Sequence, residues 1–321
     1  MGDSTFPLKV HRVTQEADGI RCFDLVSADG APLPAFGAGA HIDLHLGEGL
    51  IRQYSLCNGP EQSDSYSIAV KLEPDSRGGS RAMHEGLKEG DIVRVGGPRN
   101  NFPLHTTARH HLLLAAGIGV TPLLSMARHL KAACASYEMK YFTRSPAHTA
   151  FHQVLSAPDF SDRVDFRYAL EPVQLGDYLG DLLKVRPEGG HVYLCGPRPF
   201  MALVEEIAAR SYPAEAVHLE YFSADEALLA GPRESFTVKL AKSGREIEVP
   251  AGESILDALA RNGLHIDMLC QQGVCGTCLT TVVEGIPDHR DAFLTDAEKR
   301  ANDKIMVCCS RSLTQRLVLN L

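Results

Sequence analysis

Cys270, Cys275 and Cys278 stand in LCQQGVCGTCL, and a fourth cysteine, Cys308, follows in KIMVCCSR. The spacing C-x4-C-x2-C…C is that of thiolates holding a plant-type 2Fe–2S cluster, a centre that handles electrons one at a time. Three ligands on one short loop need sharp backbone turns between them, which Gly273 and Gly276 permit. Amides exposed on such a loop can donate to the sulfurs and so tune the cluster. Two blander arrangements use the same residue type: a structural zinc ion and a disulfide pair. Zinc favours two C-x2-C halves, whereas the fourth thiol here stands alone beside Cys309, so the spacing favours the cluster. Adjacent residues of an extended segment face opposite ways. Only one of Cys308 and Cys309 can then reach the metal, and Cys308 is the expected ligand.

Two further groups of residues suit cofactors. Arg52-Gln53-Tyr54-Ser55-Leu56 lies on an expected strand, where Arg52, Tyr54 and Leu56 share one face and Gln53 and Ser55 the other. A cation beside an aromatic suits a flavin ring and its phosphate, although a strand tyrosine is more often simply packed. Arg77-Gly78-Gly79-Ser80 precedes a possible helix, RAMHEGLKEG, and a glycine-rich turn at a helix start presents amides to an anion. Farther on, HLLLAAG runs into Gly117-Ile118-Gly119-Val120-Thr121-Pro122, and HVYLCG ends on Cys195-Gly196-Pro197. Neither is the G-x-G-x-x-G fingerprint, but both turns follow strands of the kind beyond whose carboxyl ends open parallel sheets bind nucleotides. Alone, each turn reads as structural.

The elements that must carry these residues fall into three textures. Residues 1–107 hold short alternating strands (PLKVHRVTQ, IRCFDLVS, HIDLHL, IRQYSLC, YSIAVKLE, DIVRVGG), which predict a small β-barrel. Residues 108–226 alternate strands with helices, the pattern of a parallel α/β nucleotide-binding sheet. A linker is expected near residues 224–235. Residues 234–321 then offer a hairpin about Ser243-Gly244, a helix SILDALARN capped by Ser254 and ended by Gly263, the cysteine loop and a closing strand QRLVLNL: a ferredoxin-like α+β, β-grasp domain.

Composition narrows the partners. A net charge of −8 gives no electrostatic footprint for nucleic acid. The most apolar stretch, LLLAAGIGVTPLL, is too short and too interrupted to span a bilayer. Neither nucleic acid nor membrane is an expected partner. The start of the sequence has no apolar core of signal-peptide length, and Cys22, Cys57, Cys134 and Cys195 read as separate reduced thiols, which fits a cytoplasmic protein. His110, His111, His129 and His152 read as surface or helix-flank residues, and Asp288–Asp291 (DHRD) as a charged surface loop.

Taken in order, RQYSLCN, SRGGS, GIGVTPLL, CGPRPFM, EYFS, CQQGVCGTC and MVC resemble the phthalate dioxygenase reductase family, within the ferredoxin–NADP reductase-like group. The resemblance runs over nearly the whole chain. It implies FMN held by Arg52, Tyr54, Ser55, the strand around Ala69 and Lys71, and the turn at Gly78, Gly79 and Ser80. It implies nicotinamide near Gly117, Gly119 and Thr121, with Cys195 and Gly196 bordering the site of hydride transfer and Phe222 covering the flavin. Cys270, Cys275, Cys278 and Cys308 are the implied cluster ligands. Ser145 after Arg144 departs from the acid common in relatives, so NADH is favoured over NADPH without strictness. The cofactors carry the chemistry, with no side-chain acid or base required. The implied function is reduction of a separate Rieske-type terminal oxygenase acting on an aromatic acid or a methyl ether or amine. The competing readings are a reductase for a cytochrome P450 or di-iron hydroxylase, and a redox-sensing flavo-iron–sulfur protein.

Overall fold

The computed structural model describes residues 5–47, 49–74, 78–223, 226–231 and 234–321. Arg77 of the expected phosphate turn and residues 224, 225, 232 and 233 of the expected linker lie outside the described residues. The chain divides into two compact units, Asp3–Glu220 and Tyr221–Leu321.

Strands β1 (Phe6–Ala17), β2 (Ile20–Ser27), β3 (His41–His45), β4 (Ile51–Ser55), β5 (Ser65–Lys71) and β6 (Ile92–Val95) open the first unit. They form one antiparallel sheet in the order β4-β3-β6-β1-β2-β5, and a bridge between Leu56 and Ile68 brings its two edges together as a barrel. Alternation drives this: on β1, Leu8 and Val10 are buried while Lys9 and His11 are exposed, and the inward residues join Phe23, Leu25, Ile42 and Leu44 in one core.

A parallel sheet follows, built from β7 (His110–Ala116), β8 (Tyr137–Thr143), β9 (Val164–Tyr168), β10 (Gly190–Cys195) and β11 (Val217–Glu220), in the order β11-β10-β7-β8-β9. Its central strands β7 and β10 are almost wholly buried, as strands covered on both faces require, whereas β8, β9 and β11 carry charged residues and are partly exposed. Helices Val120–Ala132, Pro172–Leu183 and Arg198–Ala208 connect them. Leu123 and Leu124 of the first helix, with Tyr193 and Cys195 of β10, share a core with Ile20, Cys22, Cys57, Ala69 and Phe102 of the barrel side, so barrel and sheet pack on one another within this unit.

The second unit contains β12 (Phe236–Leu240), β13 (Glu246–Val249), β14 (Leu279–Glu284), β15 (Pro287–Asp288), β16 (Lys304–Met306), β17 (Arg311–Ser312) and β18 (Arg316–Leu319). Five of these form a mixed sheet, β13-β12-β18-β14-β16, with β12 and β18 parallel; β15 and β17 make a separate ribbon. The β12–β13 hairpin turns through Gly244 at φ +71. Ser254 caps helix Ile255–Arg261, its Oγ accepting the Asp257 N–H, and Gly263 follows at φ +78. This is the β-grasp arrangement. No helix among the described residues is long and apolar enough to cross a membrane.

Three local expectations are corrected. RAMHEGLKEG is not a regular helix: a single turn, Gly79–Arg81, widens into a π-type turn, Ala82–Gly86, because Gly86 and Gly90 deprive the segment of helix formers. His111 is 5% exposed and stacks on Tyr193, in a column that continues through His218, His191 and His105. The DHRD stretch is not a surface loop, because Arg290 and Asp291 are 4% and 2% exposed and hydrogen-bonded.

Candidate electron-transfer sites

The cysteine loop leaves helix Ile255–Arg261 and returns into β14 with three residues in the left-handed region: Gln271 at φ +53, Gly273 at +68 and Gly276 at +78. The two glycines are needed for space as well as for φ. A Cβ on Gly273 would stand 2.5 Å from Cys309 Sγ, and one on Gly276 would stand 2.4 Å from the Phe293 ring. This tightness turns Cys270, Cys275 and Cys278 into the protein, where each is buried; Cys308, arriving after β16, is half-buried. Side-chain contacts join Cys270 to Cys275 and Cys278 to Cys308, and Cys308 also meets its neighbour Cys309. The Cys270–Cys275 contact holds the Cys275 thiol below the ordinary range and pushes Cys270 above it. Gln272 adds a backbone N–H to Cys270 Sγ at 3.3 Å. Cys309 Sγ instead lies against Gly273 and reaches the Met306 carbonyl at 3.8 Å.

Among the described residues, no three His, Cys, Asp or Glu side chains converge as one metal ion would need. The four thiols Cys270, Cys275, Cys278 and Cys308, brought together by two segments, suit the four thiolates that a 2Fe–2S cluster takes.

On the barrel, β4 carries Arg52, Tyr54 and Ser55 past the turn at Gly78, which has φ +89. A Cβ on Gly79 would lie 2.6 Å from both Cγ and Nε of Arg52, so the guanidinium stem crosses this turn at a distance only glycine allows. Turn amides beside a guanidinium fit a phosphate. The helical turn that follows spans only Gly79–Arg81, so a helix macrodipole adds little. Ser80 Oγ accepts the Glu73 N–H at 3.1 Å, Ala69 is buried, and Lys71 is exposed in an ion pair with Glu73 at 2.7 Å. Burial pushes the Tyr54 phenol above its ordinary range. Ser55 stands across from His41 on β3, hence on the same face, and His41 Nε2 is buried without a partner among the described residues. An orphaned nitrogen on this face suits a polar ring.

The nucleotide sheet brings its two turns into backbone contact. A Cβ on Gly119 would lie 2.2 Å from the Cys195 carbonyl oxygen, and one on Gly196 would lie 2.7 Å from Ala116 Cβ. Gly117 turns at φ +55, and its carbonyl accepts the Tyr141 hydroxyl at 3.0 Å. Thr121 is buried and donates to the Ile118 carbonyl at 3.1 Å. Gly117, Gly119, Thr121, Cys195 and Gly196 thus gather at the carboxyl ends of β7 and β10, where open parallel sheets bind ligands. Arg144 is exposed beyond β8, and Ser145 Oγ lies 2.9 Å from His148 Nδ1. Phe222 follows β11 by two residues, belongs to the second unit and is 41% exposed.

One residue was missed in the sequence. Glu220 ends β11 directly beside Cys195, and Ser55 Oγ donates to its Oε2 at 3.2 Å, so barrel and sheet meet through this carboxyl. Loss of hydration pushes Glu220 up to about 8, against the opposing effect of the Ser55 bond, although β11 is only half-buried as a strand. Burial, then Glu220 itself, raises the Cys195 thiol well above its ordinary range. An acid closing the last strand of the parallel sheet, next to the aromatic motif at Tyr221-Phe222, was the available signal.

Residues 238–313 match the 2Fe-2S iron-sulfur cluster binding domain family. The vanillate O-demethylase oxidoreductase of Pseudomonas sp. (strain HR199 / DSM 7063) is 44% identical over 306 residues, which is 95% of this chain and 96% of that one. A solved phthalate dioxygenase reductase, described as a modular structure for electron transfer from pyridine nucleotides to a 2Fe–2S centre, covers 99% of this chain and 98% of its own at 38% identity and TM-score 0.78. The chain belongs to the phthalate dioxygenase reductase family. As a member it is an NADH-dependent oxidoreductase with FMN and a 2Fe–2S cluster. An intact type IV self-sufficient cytochrome P450 monooxygenase also aligns, at 34% identity and TM-score 0.83, over 99% of this chain and 41% of that one. The same reductase architecture therefore occurs inside a longer polypeptide.

Proposed function

We propose that this protein is the reductase component of a two-component Rieske-type oxygenase acting on an aromatic acid or a methyl ether or amine. Residues 1–107 serve the flavin, 108–226 the nicotinamide and 234–321 the cluster. The observation that carries the reading is the coexistence, in one chain, of four gathered thiols in plant-type spacing and the Arg52–Gly79 contact. The relatives' names include vanillate O-demethylase and phthalate dioxygenase components, which supplies the substrate class.

When bound, the flavin and the cluster would supply the conversion of an electron pair from NADH into single-electron release. The protein's residues bind and orient. Arg52 and the amides of Gly78, Gly79 and Ser80 take the phosphate, Tyr54 and Ala69 pack beside the ring, and Lys71 flanks it. Gly117, Gly119, Thr121 and Gly196 would leave room for the nicotinamide beside Cys195, and Phe222, an exposed aromatic, is the residue that the family resemblance assigns to shielding the flavin. Glu220, pushed up to about 8, holds a proton on its carboxyl at neutral pH and keeps Ser55 oriented. Cys270, Cys275, Cys278 and Cys308 hold the irons. The net charge and thiol content suit a cytoplasmic protein.

A second reading, service to a cytochrome P450, is favoured by the fused relative. Mixing the NADH-reduced protein with a purified Rieske oxygenase and, separately, with a P450 decides between them. The proposal expects reoxidation within seconds by the Rieske protein; reoxidation by the P450 alone would replace it, and reoxidation by neither over many minutes would leave the redox-sensor reading.

A further inference from the structure

Within the DHRD stretch, residues 288–291, Arg290 and Asp291 are buried, and one carboxyl organises the contact of this segment with the cysteine loop. Asp291 Oδ2 accepts the N–H groups of Leu294 at 2.8 Å and Phe293 at 3.2 Å, closing a turn. Its Oδ1 accepts the Ser310 hydroxyl at 3.4 Å, and Ser310, two residues past Cys308, also accepts the Arg290 N–H at 3.1 Å. The turn so held donates the Ala292 N–H to the Gly273 carbonyl at 3.0 Å, midway between Cys270 and Cys275. It also lays the Phe293 ring against Gly276, between Cys275 and Cys278. A Cβ on Gly273 would stand 3.0 Å from both Cα and Cβ of Asp291, so the two segments touch along their backbones. Arg290 anchors the arrangement from the other side: Nη2 meets Asp288 at 2.6 Å, and Nη1 donates to the Leu229 and Gly231 carbonyls, each at 3.4 Å.

We infer that Asp291 is a positioning residue for the cluster, fixing both ligand-bearing segments and contributing to the potential at which the cluster accepts an electron. The inference rests on the reading that this loop holds a 2Fe–2S cluster. Partners behind metal ligands orient them, and nearby charge and hydrogen bonds to the sulfurs set the potential. A carboxylate packed on the loop opposes the arrival of a further negative charge, and burial of Asp291 strengthens that effect.

The test is Asp291→Asn in the full chain, followed by anaerobic redox titration read by electron paramagnetic resonance, with iron content and NADH reduction of the flavin measured alongside. We expect iron content and flavin reduction to match the native protein. The reduced fraction at the native midpoint should rise about tenfold relative to the oxidised, equivalent to 59 mV for one electron, with an altered line shape. Native midpoint and native line shape at full iron content would overturn the inference. Should the variant lose iron, Ser310→Ala decides: it removes one hydrogen bond and leaves the carboxyl, so a changed line shape supports the inference and an unchanged one overturns it. A native chain without any cluster signal would sink the functional reading and this inference together, whereas a native cluster indifferent to both substitutions sinks this inference alone.

Discussion

Arg52 lies across Gly79 so closely that a β-carbon at residue 79 would overlap its side chain, at 2.6 Å from Nε. Strand β4 and the glycine turn, far apart in sequence, thereby present a guanidinium and a row of amides to one place. Hydrogen bonds to charged groups contribute about 1.5–3 kcal/mol each. Arg52→Ala is therefore expected to weaken FMN about 10- to 100-fold, and Gly79→Ala to do the same by displacing Arg52. Flavin fluorescence titration of the apoprotein measures both, and unchanged affinity in the two variants would remove this contact from the flavin site.

Cys275→Ser separates the two redox centres. Cys275 belongs to the second compact unit, whereas Arg52, Ser55, Cys195 and Glu220 belong to the first. The variant should lose the cluster's visible absorption and its resonance signal while NADH still bleaches the flavin at the native rate. Loss of both would show that the flavin site depends on the cluster unit.

The Ser55–Glu220 bond gives a pH signature. A carboxyl raised to about 8 carries its proton below that pH and loses it above. Flavin reduction by NADH should slow severalfold as pH rises through about 8, because an ionised carboxylate beside Cys195 opposes the arrival of hydride. Glu220→Gln keeps a neutral partner for Ser55 at every pH, so its profile should be flat across this range. Stopped-flow rates between pH 6 and 9.5 give the comparison; an inflection that persists in the variant belongs to another group.

Acid should destabilise the first unit. Burial, with like charge from His191, His105 and His111, holds His218 down to about 4 from an ordinary 6.5. A depressed histidine stays neutral in the fold while the unfolded chain takes up a proton, so its contribution is present above pH 6.5 and is lost as pH falls towards 4. The melting temperature should drop over that window, and His218→Gln should drop less steeply. Parallel curves would assign the acid sensitivity elsewhere, His41 being the next candidate since burial also holds it down to about 4.

What could be read from the chain depended on whether a residue's role is written in its neighbours. A plant-type cluster takes thiolates at fixed separations, so the spacing of Cys270, Cys275 and Cys278 is legible in the chain, as is the inward alternation of β1. The turn at Gly117–Pro122 was legible as a strand-to-helix joint, but its tight fit on Cys195 involves residues more than seventy positions apart. Charged and polar residues were misjudged for the same reason. Arg290, Asp291 and His111 look solvated in a linear reading, because burial of a polar group is licensed by distant partners such as Ser310 and Tyr193. Glu220 escaped notice because its partner, Ser55, sits 165 residues away.

Anaerobic titration of the freshly purified protein with NADH, followed together by absorption, electron paramagnetic resonance and iron analysis, bears most directly on the account. Two irons per chain, bleaching of a flavin band and of the cluster absorption, and a signal integrating to about one spin per chain at full reduction are predicted. Zinc in place of iron, or a flavin that bleaches while an iron-loaded protein shows no spin, would contradict it.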